Sequence, residues 1–155
     1  MSSEQAVQDF WNAYLATLPE DHSHRFVPLP DAGSFGNTPE MADRLGDLVV
    51  RGIKTATCGR YLGENILEDG GSSMILDSRD EPLCVVETFE VTVRRYRDID
   101  EAWARAEGEG DLSLAYWRKE HWRFFTQEAE SAGYEVSENM LLACKRFRVL
   151  YPLPE

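Results

Sequence analysis

A long strand-like segment, residues 83–96, limits the folds open to this chain more than any other part of its sequence. It is rich in β-branched and aromatic residues, and a shorter run at residues 73–76 precedes it across a polar turn at residues 77–80. Residues 140–151 alternate in the manner of another long strand. We therefore expect a substantial β-sheet whose longest strand is able to bend around a barrel.

Helical patterns occupy much of the remaining chain. Apolar residues recur at helical spacing over residues 7–18, behind a capping pattern that starts at Ser2, and similar stripes cover residues 38–52 and 114–133. Residues 20–36 carry two prolines, directly after Pro19, and predict an extended surface loop. This mixture predicts an α+β fold with the first helix packed outside the sheet.

The length and the apolar content favour one domain over residues 1–155 and a cytoplasmic location. A chain of 155 residues buries a sizeable core without crosslinks, and no apolar run approaches the roughly 20 residues that a bilayer span needs. The N-terminus lacks the basic and apolar regions of a signal peptide. The three cysteines are widely spaced and show no zinc-ligand pattern, so we expect reduced core residues.

The charge of the chain disfavours polyanionic partners. With 28 acidic and 16 basic residues the net charge is -12, which repels nucleic acids at long range. A basic and aromatic cluster at Arg94, Arg95, Tyr96 and Arg97 is either a phosphate-contacting surface or an exposed strand end. We expect RNA binding only at a local basic site, and no binding to DNA or membranes.

The junction at residues 52–57 is the point at which the sequence resembles a known family. A glycine, one residue and then Lys54 follow the end of a predicted helix, and this pattern resembles the signature of the ASCH family. Further blocks accompany it in the family's order: residues 35–39, residues 107–111 with Tyr116 and Trp117, and residues 144–151.

This resemblance implies a small PUA-like β-barrel flanked by helices, formed by residues 35–151, with residues 1–34 as an added helix and loop. Members of the family are linked to RNA as amidohydrolases that deacetylate N4-acetylcytidine and as single-strand ribonucleases. The resemblance therefore implies a hydrolase that cleaves the amide of an N4-acylated cytidine nucleoside. Two alternatives stay open: a single-strand ribonuclease, with or without a divalent cation, and a non-catalytic RNA-binding module.

The amidohydrolase branch implies the catalytic residues Lys54, Thr57 and Glu109. A lysine in a partly desolvated cleft loses proton affinity, so we expect Lys54 to act as base for a Thr57 nucleophile, with Glu109 passing a proton to the leaving amine. Residues three apart in a strand point to opposite faces, so the pair meets only if Lys54 precedes the strand. Without the resemblance, Lys54 reads as a solvated lysine at a helix C-terminus.

Substrate-binding roles are predicted for Arg60, Tyr61, Glu107 and Arg95. The broad family signature has a glutamate and an arginine after the lysine, whereas this chain has Thr57 and Gly59 there, with the arginine displaced by one position. We predict no cofactor.

Other polar residues receive structural interpretations. Glu107, Glu109 and Asp111 offer carboxylates for a divalent cation, but an acidic surface loop is the alternative that we favour, so no metal site is predicted. His121 lies in an apolar helical stripe and is read as a core or rim residue. Cys58 is read as an inert thiol.

Overall fold

The computed structural model describes residues 3–63 and 71–153, and this part of the chain forms four α-helices and one five-stranded sheet. The helices are α1 (Ser3–Leu15), α2 (Pro39–Val50), α3 (Glu101–Glu107) and α4 (Leu114–Ala132). The strands are β1 (Ala32–Gly33), β2 (Ala56–Arg60), β3 (Ser72–Leu76), β4 (Pro82–Arg95) and β5 (Leu141–Tyr151). Short 3-10 helices lie at Ser23–Phe26 and Tyr96–Asp98.

The sheet is mixed and follows the order β1-β3-β4-β5-β2. β1 runs parallel to β3, and the other neighbours are antiparallel. The predicted α+β class is confirmed. The barrel that the resemblance implies is not closed: within the described residues the outer strands β1 and β2 pair only with β3 and β5, and β1 has just two residues.

The sequence patterns place most elements correctly. Thr38 caps α2, with its side chain accepting a hydrogen bond from the backbone of Met41 at 3.1 Å. The first helix ends at Leu15 rather than near residue 18, and the loop at residues 20–36 contains a 3-10 helix and β1. The predicted capping pattern at Ser2 lies outside the described residues.

Three clusters of buried side chains hold the helices against the sheet. α3 and α4 pack on one face through Trp103, Trp117, Phe125, Leu142 and Cys144. α1 packs on β3 and β4 through Val7, Trp11, Tyr14, Met74 and Val85, outside the sheet as predicted. α2 packs through Val49, which belongs to a cluster with Ile75, Cys84, Val86 and Phe147.

The cysteines are free thiols, with Cys84 and Cys144 buried in the core and Cys58 half-buried, which agrees with the prediction of reduced residues. Among the described residues, no helix combines the length and the apolar character needed to cross a bilayer.

Candidate functional site

Lys54 is placed by the way in which α2 ends. The chain leaves the helix through Gly52, whose φ of 76° lies in the left-handed region, and the backbone N–H groups of Ile53 and Lys54 both donate to the Leu48 carbonyl at 2.9 and 3.1 Å. β2 begins only at Ala56. Lys54 therefore belongs to the turn before the strand. We expected Lys54 and Thr57 to share a site only if the lysine precedes the strand, and this condition is met.

The turn after α3 brings two glutamates to the same place. Gly108 ends α3 with φ 71°, and a Cβ at this position would lie 2.4 Å from the carbonyl oxygen of Ile53. The Thr55 backbone N–H also donates to the Ala106 carbonyl at 2.8 Å. Only glycine permits so close an approach in this conformation. Glu107 and Glu109 are the chain neighbours of Gly108, and the contact places them beside the backbone of Ile53 and Lys54.

The Lys54 ammonium is the centre of this site. The residue is 2% exposed, and its Nζ donates to the Ala56 carbonyl at 2.9 Å, to Oε2 of Glu109 at 2.9 Å and to Oε1 of Glu107 at 3.3 Å. An ammonium has three donors, and these acceptors use all of them. Lys54 is therefore a fixed buried cation and not a solvated lysine.

Glu107 is a buried carboxylate, 1% exposed, that accepts hydrogen bonds from several side chains. Its Oε2 accepts from the indole N–H groups of Trp103 at 2.9 Å and Trp117 at 2.6 Å, and from the Cys58 thiol at 3.4 Å. Burial alone would raise the pKa of Glu107, but the Lys54 charge and the hydrogen bonds from His121 and Trp117 lower it to about 2. Glu107 is therefore ionised at neutral pH.

His121 closes the far side of this carboxylate. Its Nε2 lies 3.2 Å from Oε1 of Glu107, its Nδ1 lies 2.9 Å from the carbonyl of Trp117, and its ring stacks on the Trp117 indole at 4.1 Å. Burial lowers the pKa of His121, but the hydrogen bond and charge of Glu107 outweigh it and the pKa is raised. Since both partners are acceptors, the imidazolium is the form that satisfies both contacts.

The expected loss of proton affinity at Lys54 is wrong. Burial lowers the pKa of this lysine, as the sequence reasoning assumed, but the charges of Glu107 and Glu109 more than offset burial and the pKa is raised. The sequence reasoning considered a desolvated lysine without two carboxylates in contact. Lys54 therefore carries its proton at neutral pH and is not a free base.

These groups open into a small cleft of about 70 Å³. Its lining combines charged and hydroxyl groups with an apolar wall: Phe35, Gly36, Met41, Leu45, Lys54, Thr57, Cys58, Glu107, Glu109, Glu120, His121 and Phe124. Thr57 is half-buried in β2, and no described residue hydrogen-bonds its hydroxyl. Lys54, Thr57, Glu107 and Glu109, predicted from sequence, thus share one cleft.

The other predicted binding residues lie elsewhere. The Arg60 guanidinium stacks on the Tyr134 ring at 3.7 Å, and its buried Nε has no hydrogen-bond partner among the described residues. Tyr61 is half-buried beyond the end of β2, and Arg95 is exposed at the end of β4. Among the described residues that line the cleft, none of these three appears.

The acidic residues considered for a cation have other partners among the described residues. Asp111 is exposed and accepts from the backbone and hydroxyl of Ser113, away from Glu107 and Glu109. Donor atoms of Cys58, Glu107 and His121 do lie within 4.8 Å of one another. However, the Lys54 ammonium and the indole groups already occupy the Glu107 carboxylate, and burial together with the Glu107 charge raises the pKa of the Cys58 thiol well above its usual value. We assign no metal to this cluster.

The sequence does not indicate that His121, Phe35 and Phe124 line this cleft. His121 was read only as a core or rim residue, although it lies four positions from Trp117 and four from Phe125 on one helical stripe. Phe35 and Phe124 belong to segments 89 positions apart, and nothing in the sequence pairs them. A polar residue within an apolar helical stripe was the one available signal.

Comparison with known proteins identifies relatives of this fold. A family model of the ASCH domain matches residues 31–151. The crystal structure of an ASCH domain from Lactobacillus crispatus is 29% identical, with a TM-score of 0.87 and coverage of 96% of each chain. The crystal structure of a protein from Enterococcus faecalis is 34% identical, with a TM-score of 0.81 and coverage of 94% of this chain and 88% of that one. No curated protein matches the sequence significantly.

Proposed function

This chain belongs to the ASCH domain family, and from that premise we propose that it is a hydrolase that cleaves the amide of an N4-acylated cytidine nucleoside. The observation that carries the proposal is the contact between Lys54 and Glu109, 2.9 Å long, in the cleft that also holds the Thr57 hydroxyl. A nucleophile, a carboxylate and a buried cation in one cleft are the groups that acyl transfer requires.

Thr57 is the proposed nucleophile and Glu109 the proposed proton carrier. The Thr57 oxygen attacks the acyl carbon, and its proton passes to the Glu109 carboxylate. Glu109 then protonates the amine nitrogen as the carbon–nitrogen bond breaks, which leaves an ester on Thr57. Water attacks this ester, and Glu109 carries the water proton to the Thr57 oxygen, so the acid leaves and the enzyme is restored.

Lys54 acts in this scheme as a cation. Since its pKa is raised, we assign the base role to Glu109 and keep Lys54 as the charge that holds the Glu109 carboxylate in the cleft. A fixed positive charge in a water-poor site also stabilises negative charge that develops on the acyl oxygen.

The cleft wall suits a planar base. Phe35 and Phe124 line it, Phe35 is backed by Phe147 with ring centroids 6.2 Å apart and an interplanar angle of 26°, and Phe124 meets Phe125 edge-on at 5.6 Å. Aromatic side chains of this kind bind nucleobases by stacking. Supported rings give the base a rigid surface on which to lie.

Charge supports a nucleoside over an RNA strand. Glu109 and Glu120 line the cleft, and the lysine there is already bound to carboxylates. On β5, Arg146 pairs with Glu90 at 2.8 Å and Arg148 with Glu87 at 2.7 Å, which reduces the positive charge open to phosphates. A nucleoside brings no phosphates to be repelled.

We place this reaction in the cytoplasm, where free thiols such as Cys58 persist.

The direct test is incubation of the purified protein with N4-acetylcytidine and, separately, with labelled single-stranded RNA, each with and without a chelator. We expect release of cytidine and acetate that the chelator does not change, and no cleavage of RNA. A Thr57→Ala variant is the matched control for contaminating hydrolases. Chelator-sensitive RNA cleavage would support the ribonuclease alternative, and RNA binding without turnover would support the non-catalytic one.

A further inference from the structure

Among the described residues, His121 hydrogen-bonds to Glu107 and to the Trp117 carbonyl, and it is linked to the proposed catalytic groups through Glu107. Its Nε2 contacts Oε1 of Glu107 at 3.2 Å, and the same oxygen accepts from the Lys54 ammonium at 3.3 Å. Lys54 in turn holds Glu109 at 2.9 Å. A line of alternating charge thus runs from the imidazole of α4 to the carboxylate that we assign to proton transfer.

The Glu107 carboxylate, which contacts both His121 and Lys54, is held at both of its oxygens. Trp103 and Trp117 fix its other oxygen, Oε2, so a change in the His121 contact falls on Oε1, the atom that His121 shares with Lys54. A neutral histidine has one ring N–H, so it can donate to only one of its two acceptors, Glu107 Oε1 and the Trp117 carbonyl oxygen.

We propose that His121 is a positioning residue for the hydrolase: as an imidazolium it fixes Glu107, which aligns Lys54 and Glu109 for proton transfer. This inference rests on the proposed function for its effect on turnover, but the coupling of His121 to Lys54 is a property of the folded protein alone. His121 lines the cleft, but its proposed role acts through Glu107 and needs no contact with substrate.

The ionisable groups that face His121 come from each segment packed around it. They are Glu107 of α3, Glu109 of the following turn and Cys58 of β2, with Lys54 bound to the same Glu107 oxygen and Glu120 in the same cleft lining. Two carboxylates next to the imidazole favour its charged form, and the Cys58 thiol stays protonated because its pKa is raised. An imidazole has a lower ordinary pKa than a thiol or an ammonium, and the pKa values of His121, Cys58 and Lys54 are all raised.

Two substitutions separate charge, hydrogen bonding and packing. His121→Gln keeps a donor to Glu107 but cannot titrate, whereas His121→Phe keeps a ring on Trp117 and removes both hydrogen bonds. With N4-acetylcytidine as substrate, we expect kcat of the wild-type protein to fall as pH rises through the raised pKa of His121. His121→Gln should lack this alkaline fall. His121→Phe should lose about ten-fold or more in kcat at all pH values, with KM changed less than about three-fold.

A second measurement needs no turnover. NMR with ¹⁵N-labelled lysine should detect the Lys54 ammonium, which burial protects from exchange, beside the exposed Lys119 as reference. We expect its signal to follow the His121 titration in the wild-type protein and to be lost or shifted in His121→Phe. ¹⁵N-labelled histidine, with His22 and His24 as references, reports the charge of His121 directly.

The outcomes separate the two proposals. If N4-acetylcytidine is not hydrolysed but the Lys54 signal follows His121, the positioning role stands and the proposed substrate is wrong. If hydrolysis proceeds and His121→Phe has wild-type kcat and an unchanged Lys54 signal, the positioning role is overturned. Should His121→Phe fail to fold, an alkaline fall that persists in His121→Gln would overturn it.

Discussion

The Lys54 ammonium lies 2.9 Å from Oε2 of Glu109, a residue 55 positions further along the chain, and the lysine side chain is 1% exposed. Lys54→Arg should therefore abolish most turnover, because a planar guanidinium cannot donate in the three directions that the ammonium uses. We expect a loss of about a hundred-fold or more in kcat/KM. Lys119→Arg, on the exposed face of α4, is the control and should leave the rate unchanged. Substantial activity in Lys54→Arg would mean that positive charge alone is sufficient.

The Thr57 hydroxyl is tested by a pair of small substitutions. Thr57→Ser keeps the oxygen and should retain part of the rate, whereas Thr57→Ala should lose about a thousand-fold or more in kcat. Neither change removes a hydrogen bond to a described residue, so thermal melting should shift little. Equal rates for the serine and alanine variants would eliminate Thr57 as nucleophile.

Acid should unfold the protein through Glu107. Its pKa is about 2 in the folded protein, below the usual 4.5 of an unfolded glutamate. Its contribution to stability is therefore complete above about pH 4.5 and is lost as pH falls from there towards 2. Glu107→Gln should lower the free energy of unfolding at pH 7 by about 3 kcal/mol, because the buried Lys54 ammonium then keeps one carboxylate partner, Glu109, in place of two. It should also weaken the pH dependence between 4.5 and 2, which urea titrations at several pH values measure.

The exposed pair between Asp47 and Arg51 provides the control for that experiment. Its side chains are 62% and 60% exposed, so Asp47→Asn should cost about 0.5 kcal/mol or less. An equal loss of stability in the two variants would contradict a special role for burial at Glu107.

Gly108 and Gly133 give a matched test of backbone approach. Both have left-handed φ values, 71° and 78°, but an added Cβ would meet the Ile53 carbonyl at Gly108 and nothing within 4 Å at Gly133. Gly133→Ala should therefore cost about 1 kcal/mol for conformation alone. Gly108→Ala should cost about 2 kcal/mol more and reduce turnover, since it pushes Glu107 and Glu109 away from Lys54. Equal costs in chemical denaturation would show that the contact relaxes freely.

The aromatic wall predicts substrate preference. Phe124→Leu should raise KM for an acylated cytidine several-fold while leaving hydrolysis of a small aliphatic amide unchanged, because only the planar base stacks. Phe89→Leu, a change at a ring that is 53% exposed outside the cleft lining, is the control. A parallel loss for both substrates would point to damage of the cleft and not to base recognition.

Local sequence signals were sufficient for the longer helices and strands. The N-cap Thr38, the glycines after helices and the alternation of β5 are patterns whose physical causes act within a few residues. Such local patterns do not predict the order of the strands in the sheet, since β2 pairs with β5 across 80 residues of intervening chain. The two-residue β1 has no periodicity to detect.

The charged centre of the site was predictable from sequence, but its aromatic lining and its electrostatics were not. The spacing and the resemblance brought Lys54, Thr57 and Glu109 together, yet the direction of the Lys54 pKa depended on distances to two carboxylates that sequence does not contain. The role of His121 depended on Glu107 being buried beside it. Arg60 matched a family position approximately, but stacking on Tyr134 directs its guanidinium elsewhere.

The cluster that anchors α1 to the sheet shares no buried residue with the cluster under α3 and α4. A destabilising substitution in that helix, such as Trp11→Ala, should therefore lower the amount of folded protein in a cell and leave the proposed turnover rate of each folded molecule unchanged. Substitutions in α1 then change how often chaperones and proteases act on the chain, and they do not change the cleft. Natural or engineered changes there offer a means of setting cellular dosage while the chemistry stays constant.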